Sequence, residues 1–162
     1  MSLTRQRHLL TAGSSVSDFR LRLLDGGETG LRDLIAQGPV LLAFFKVSCP
    51  VCQLTLPFLE RIRSSGRLPI FAVSQNDAGD TRDFHRRFNL SLPSLLDSEE
   101  AGFVVSNAFG ISSVPTLFLI EKDGSVTRVI EGWSKIEIER LGEVAGMKPF
   151  RPTDSVPEWK AG

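Results

Sequence analysis

Residues 39–60 run Pro39-Val40-Leu41-Leu42-Ala43-Phe44-Phe45-Lys46-Val47-Ser48-Cys49-Pro50-Val51-Cys52-Gln53-Leu54-Thr55-Leu56-Pro57-Phe58-Leu59-Glu60. From Val40 to Phe45 the chain is apolar without alternation and ends on two aromatics, the pattern of a strand covered on both faces. Beyond it Val51, Leu54, Phe58, Leu59 and Ile62 recur at helical spacing. The two cysteines thus lie where a buried strand gives way to a helix start. There the unpaired amides and the positive dipole end favour an anion, which makes Cys49 the better placed thiolate. Pro50 suits a first helical turn, where a missing N–H costs nothing. Two intervening residues at a helix start bring both sulfurs within disulfide range. Cys49 is expected to be exposed and attacking, Cys52 buried and resolving, and Pro57 to bend the helix.

The chain has 162 residues, 41% of them hydrophobic, enough for one domain with its own core. Its only two cysteines are three positions apart and cannot staple distant parts, so a disulfide between them is chemical rather than architectural. Nineteen basic residues balance nineteen acidic ones, which removes the bulk electrostatic argument for a nucleic acid or an anionic membrane as partner. No stretch approaches the roughly 20 apolar residues of a membrane span. Arg5 and Arg7 are followed only by Leu9 and Leu10, too short for a secretory leader. The expected location is cytoplasmic, or extracytoplasmic if a leader has been removed.

Working outward, residues 1–15 read as a flexible arm, 16–146 as the domain and 147–162 as a proline-containing, extended tail. Alternation at Phe19, Leu21 and Leu23 before Asp25-Gly26-Gly27 predicts a β-hairpin, and Leu31 to Gln37 a short helix ended by Gly38. Leu68 to Ser74 is a second buried run. With the helix between, it makes a right-handed βαβ unit with parallel strands. Asp77 or Asp80 caps the next helix, which carries Phe84 and Phe88. A short strand around Pro93 and a helix over Ala101 to Phe109 follow. Thr116 to Ile120 and Ser125 to Ile130, joined across Asp123-Gly124, read as an antiparallel hairpin. Lys135 to Ala145 closes the domain as an amphipathic helix burying Ile136, Ile138, Leu141 and Val144. Phe44, Phe45, Phe84, Phe88, Phe103, Phe109 and Phe118 are assigned to the core, Trp133 to a core edge, and Trp159 to docking on the body or on a partner.

The element order and the Cys-x-x-Cys resemble the thioredoxin fold: an α/β protein with a central mixed sheet flanked by helices, here with an N-terminal β-hairpin extension. The resemblance is nearer to the thiol-disulfide oxidoreductases of the TlpA and ResA type within the AhpC/TSA superfamily and covers about residues 16–146. It rests on Phe44 to Cys52, Pro57, Phe71-Ala72-Val73-Ser74, Leu92 to Asp97, and Val114 to Ile120 followed by Asp123-Gly124. It implies a cis Val114-Pro115 bond lying against the cysteines, with Val114 offering strand-like hydrogen bonds to a substrate chain. Three positions depart from the pattern. Ser48 stands where thioredoxins commonly carry Trp, Ala43 where they bury an acid, and Thr55 where the ResA type carries Glu. The usual proton acceptor for Cys52 is thus missing.

A zinc site needs two further ligands, and the only histidines are His8 in the arm and His85, placed on an exposed helix face. No metal or other cofactor is implied. Lys46 is a candidate thiolate stabiliser and Ser48 a candidate hydrogen-bond partner of Cys49. Three functions fit the residues. The first is a thiol-disulfide oxidoreductase acting on a protein or small disulfide, with a thiol or dithiol electron donor. The second is a thiol peroxidase, because Pro50-Val51-Cys52 resembles the peroxidatic stretch of peroxiredoxins, with Arg128 as activating cation. The third is a binding module whose partner affinity follows the disulfide state.

Overall fold

The computed structural model describes residues 8–162. Its centre is β3 (Val40–Phe45), all six residues buried, each large side chain contributing about 1.5–3 kcal/mol through burial. β3 lies between β4 (Ile70–Ser74), to which it is parallel, and β6 (Thr116–Ile120), to which it is antiparallel. The seven-stranded sheet runs β2-β1-β5-β4-β3-β6-β7, with β1 Arg20–Leu23, β2 Glu28–Gly30, β5 Ser94–Leu96 and β7 Val126–Glu131. It is mixed: β4 pairs in parallel with β3 and β5, and the hairpins β1–β2 and β6–β7 are antiparallel. The predicted N-terminal hairpin extends the sheet because β1 also pairs with β5, Leu23 opposite Leu95.

Among the described residues five helices connect the strands: α1 (Leu31–Ile35), α2 (Pro50–Arg63), α3 (Ala78–Phe88), α4 (Val104–Phe109) and α5 (Lys135–Val144). α2 continues through Pro57 as one 14-residue element and buries Cys52, Thr55, Leu56, Phe58, Leu59 and Ile62, whereas Val51 and Leu54 are half-buried. Asp77 caps α3 by accepting from the Asp80 amide, and Asn89 ends it in the left-handed region at φ 53°. Beneath the sheet, Phe44, Phe109 and Phe118 form a triangle with ring centroids 4.9–5.6 Å apart.

Several sequence expectations change in the folded chain. α4 starts at Val104 rather than near Ala101, because buried Asp97 reaches across the intervening turn and accepts from the Val105 and Ser106 amides at 3.2 and 2.6 Å. Phe103, at φ 50°, precedes that helix half-buried and does not join the core. In α5 only Ile138 and Leu141 of the four predicted apolar residues face inward; Ile136 and Val144 are about half exposed. Trp133 is completely buried rather than at a core edge.

The described part of the N-terminal arm and the C-terminal tail are both held against the body. Residues 1–7 of the N-terminal arm lie outside the described residues. From residue 8 onward the arm is held. Leu10 N–H donates to the Phe109 carbonyl, Gly13 N–H to Val126, Val126 N–H to Ser14, and Val16 N–H to Gly124. The tail is held more firmly. Asp154 takes both guanidinium nitrogens of Arg61 at 2.7 and 3.1 Å, and this ion pair keeps its carboxyl well below the usual range, at about 2. Phe150 packs 5.0 Å from the Phe58 ring and 6.1 Å from Trp133. Trp133 Nε1 donates to the Pro157 carbonyl at 2.6 Å, and Lys135 N–H to Glu158. The chain then forms β9 (Trp159–Lys160), antiparallel to β8 (Trp133–Ser134). Three prolines argued for an extended tail, whereas the Arg61 and Trp133 groups that hold it at Asp154 and Pro157 are 93 and 24 residues away.

His85 is likewise not the surface residue expected. It is half-buried with Nε2 2.7 Å from the Ser94 hydroxyl. Burial lowers its pKa below the ordinary value, against the smaller opposing pull of the Leu90 backbone, Asp25 and Glu60. The unfolded chain therefore takes up this proton first as pH falls, and the folded state loses stability below about pH 6.5. We expect His85→Gln to flatten that loss: urea midpoints of the two proteins measured from pH 7.5 to 5 should converge as the pH falls. Parallel curves would show that His85 does not drive it.

Candidate active site

The strand–helix junction places both sulfurs at one end of the sheet. Cys49 is the N-cap of α2, with extended backbone at φ −84° and ψ 113°, and its Sγ accepts the Cys52 amide at 3.1 Å. This amide is one of the unpaired donors that every helix start presents. Cys49 is half-buried, with its neighbours Ser48 and Pro50 exposed. Cys52, one turn on, is fully buried, and both are free thiols. Burial pushes the Cys52 thiol well up from its ordinary pKa. A hydrogen bond with Cys49 and the charge of that sulfur act in the same direction. Cys52 is therefore a neutral thiol at physiological pH, positioned behind an accessible partner.

Across the cleft, Val114-Pro115 is a cis peptide, as the resemblance implied. Val114 and Pro115 are buried, and the Val114 carbonyl accepts from Cys49 Sγ at 3.4 Å. That loop leads directly into β6, whose Thr116 is opposite Phe44 of β3. The sheet register itself thus sets the first cysteine against the cis-proline turn.

The loop between β3 and α2 is clamped from both sides by residues not singled out from sequence. Asn76 Oδ1 accepts the Val47 amide and Gln53 Nε2 donates to the Val47 carbonyl, each at 3.0 Å. The one available signal for Asn76 was the parallel pairing itself, which ends at Phe45↔Ser74 and leaves the residues after β4 alongside Val47. Lys46 meets the site through its main chain: its carbonyl accepts the Cys49 amide at 3.2 Å, and its backbone amide lies against the Cys52 thiol. Its side chain is exposed. Val51 gives its carbonyl to the Thr55 hydroxyl at 2.7 Å, so Thr55, though fully buried, is satisfied within its own helix. Ala43 is equally buried and apolar.

Arg128 does not join the cysteines. It pairs with Glu137 at 2.8 Å and lies opposite Leu119, three residues, or about 10 Å, along β6 from the end at Thr116 that meets the site. Arg128 is therefore engaged by Glu137 rather than placed beside the cysteines as the peroxidase expectation had it. Among the described residues no group of three or more His, Cys, Asp or Glu side chains could hold a metal, and no helix is long and apolar enough to cross a membrane.

Comparison with known proteins agrees with this geometry. The thiol-disulfide oxidoreductase ResA of Geobacillus thermodenitrificans is 31% identical over 131 residues, covering 78% of this chain and 73% of the relative. ResA of Halalkalibacterium halodurans is 33% identical over 130 residues, covering 78% and 72%. Among solved structures, a thiol:disulfide interchange protein DsbE from Chlorobium tepidum superposes with a TM-score of 0.71 at 23% identity, covering 83% of this chain and 95% of its own. Peroxidoxin BcpB from Mycobacterium tuberculosis superposes with 0.69 at 23% identity, covering 85% and 94%. At such identities these structures establish the thioredoxin-like fold and leave the chemistry to the site. Residues 12–129, from the pinned N-terminal segment into β7, match the AhpC/TSA family, and to that family of thioredoxin-like oxidoreductases the chain belongs.

Proposed function

We propose that the protein is a thiol-disulfide oxidoreductase that cycles Cys49 and Cys52 between dithiol and disulfide on a protein or small disulfide. The observation that carries this reading is the asymmetry of the pair: an accessible sulfur capped by a helix amide, with a buried thiol in hydrogen-bond reach behind it. In the reducing direction the Cys49 thiolate attacks one sulfur of the substrate. A mixed disulfide forms, and the other substrate sulfur leaves as a thiolate that takes up a proton. Cys52 then loses its proton to water and attacks Cys49 Sγ, releasing the second substrate thiolate and closing Cys49–Cys52. The substrate gains two electrons, and a thiol or dithiol donor returns the pair to the reduced form. Run backwards, the same steps oxidise a substrate dithiol.

The test is equilibration in graded reduced and oxidised glutathione or dithiothreitol buffers, followed by alkylation and mass measurement. We expect one intramolecular disulfide with a two-electron dependence on buffer potential. A midpoint near about −270 mV makes the protein a reductant of other disulfides, one near about −120 mV an oxidant. A pair that stays reduced in every buffer overturns the proposal.

A further inference from the structure

The C-terminal segment ends against the active site. β9 pairs with β8, and the chain past it crosses the turn at Gly132, where a Cβ would collide with the Lys160 carbonyl and lie 3.0 Å from the Gly162 nitrogen. Gly132 N–H in turn donates to the Pro115 carbonyl at 2.8 Å. Gly162 closes the path: a Cβ there would collide with the Val114 carbonyl and stand 3.3 Å from the Pro115 nitrogen. That carbonyl is the group to which the Cys49 thiol donates. An extended peptide laid beside Cys49 needs the same main-chain edge for strand-like pairing. Residues 161–162 and a peptide substrate therefore claim the same ground. A small disulfide needs only an approach to Sγ of the half-buried Cys49.

We propose that residues 158–162 are the specificity-determining element of this site: they cover the peptide-pairing edge at Val114 and Pro115 and restrict Cys49 to small disulfides. This rests on the thiol-disulfide reading above. The strap is anchored where peptide competition is weakest, through Lys135 N–H to the Glu158 carbonyl and the two β8–β9 register pairs, rather than through the site itself. Its Trp159 ring, 63% exposed, adds no core burial that would hold it in place.

The experiment compares the reduced protein, a chain stopped after Pro157, and full-length Gly162→Ala. Each is reacted with oxidised glutathione as the small probe and with insulin as the protein disulfide. Stopping after Pro157 keeps the carbonyl that satisfies Trp133 Nε1. The shortened chain is expected to react with insulin at least tenfold faster, with less than a twofold change toward glutathione. Gly162→Ala should move the ratio the same way by severalfold. An unchanged insulin-to-glutathione ratio in both variants overturns the proposal. Should the shortened chain lose its fold, judged by its unfolding curve, Gly162→Ala decides alone. If the protein reacts with neither probe in either direction, reduced protein with the two disulfides or oxidised protein with glutathione and reduced insulin, the thiol-disulfide reading fails first and the strap falls with it.

Discussion

Cys49→Ser is expected to abolish disulfide exchange, lowering the rate by more than about 1000-fold, because a hydroxyl neither ionises near neutral pH nor leaves as a thiolate. Cys52→Ser is expected to do something different. Cys49 still attacks, so the reaction stops at the mixed disulfide, which accumulates with the mass of protein plus one substrate half. The raised pKa of Cys52 adds a pH signature in the native protein. Its largest cause is burial, which persists after Cys49 has become part of a mixed disulfide. Below that pKa the thiolate fraction grows about tenfold per pH unit, so breakdown of the mixed disulfide accelerates about tenfold per unit, roughly 100-fold from pH 6 to 8. Quenched-flow trapping with mass detection reads both effects. Accumulation of the mixed disulfide in Cys49→Ser, or equal turnover in native protein and Cys52→Ser, contradicts the assigned roles.

Trp133→Ala is expected to cost about 3–5 kcal/mol in urea unfolding, the range for truncating a buried large aromatic. Trp133 is wholly enclosed, its ring 5.2 Å from Phe58 and 6.1 Å from Phe150, and its Nε1 gives the Pro157 carbonyl a hydrogen bond. The side chain joins three things: the helix that carries the cysteines, the turn at Gly132 that touches Pro115, and the tail. Trp133→Phe keeps the aromatic packing and loses the Nε1 hydrogen bond, at about 1–2 kcal/mol. If alanine costs no more than phenylalanine, the packing of the tail on α2 is not what stabilises this end of the molecule.

Much of the centre of the protein is written locally. The apolar run Val40–Phe45, the proline one residue into α2 and the Asp123-Gly124 turn each act over a few neighbours, so strand, helix start and hairpin appeared where expected. The placement of Cys49 and Cys52 at the start of that helix followed from the same local pattern, and the cis bond at Pro115 from resemblance alone. Local reading failed where a residue's environment is supplied by distant chain. His85 looks solvent-facing by helical spacing, yet Ser94 on a neighbouring strand and the chain around Leu90 enclose it. Ile136 and Val144 look like core by helical spacing, yet of the four only Ile138 and Leu141 are buried.

The sequence by itself determined the central strand and the helix that begins at the cysteines, and it singled out Cys49 and Cys52 as the candidate pair, because these depend on side-chain periodicity and on helix-end amides within one or two turns. Only the tertiary structure decided that the proline-containing tail is ordered and comes to rest beside Val114. That placement depends on Arg61 meeting Asp154 and Trp133 meeting Pro157 across wide sequence separations. Such pairs have no local signature, since each side chain alone reads as a plain surface charge, an isolated aromatic or a turn-forming proline, and only the folded chain brings them together.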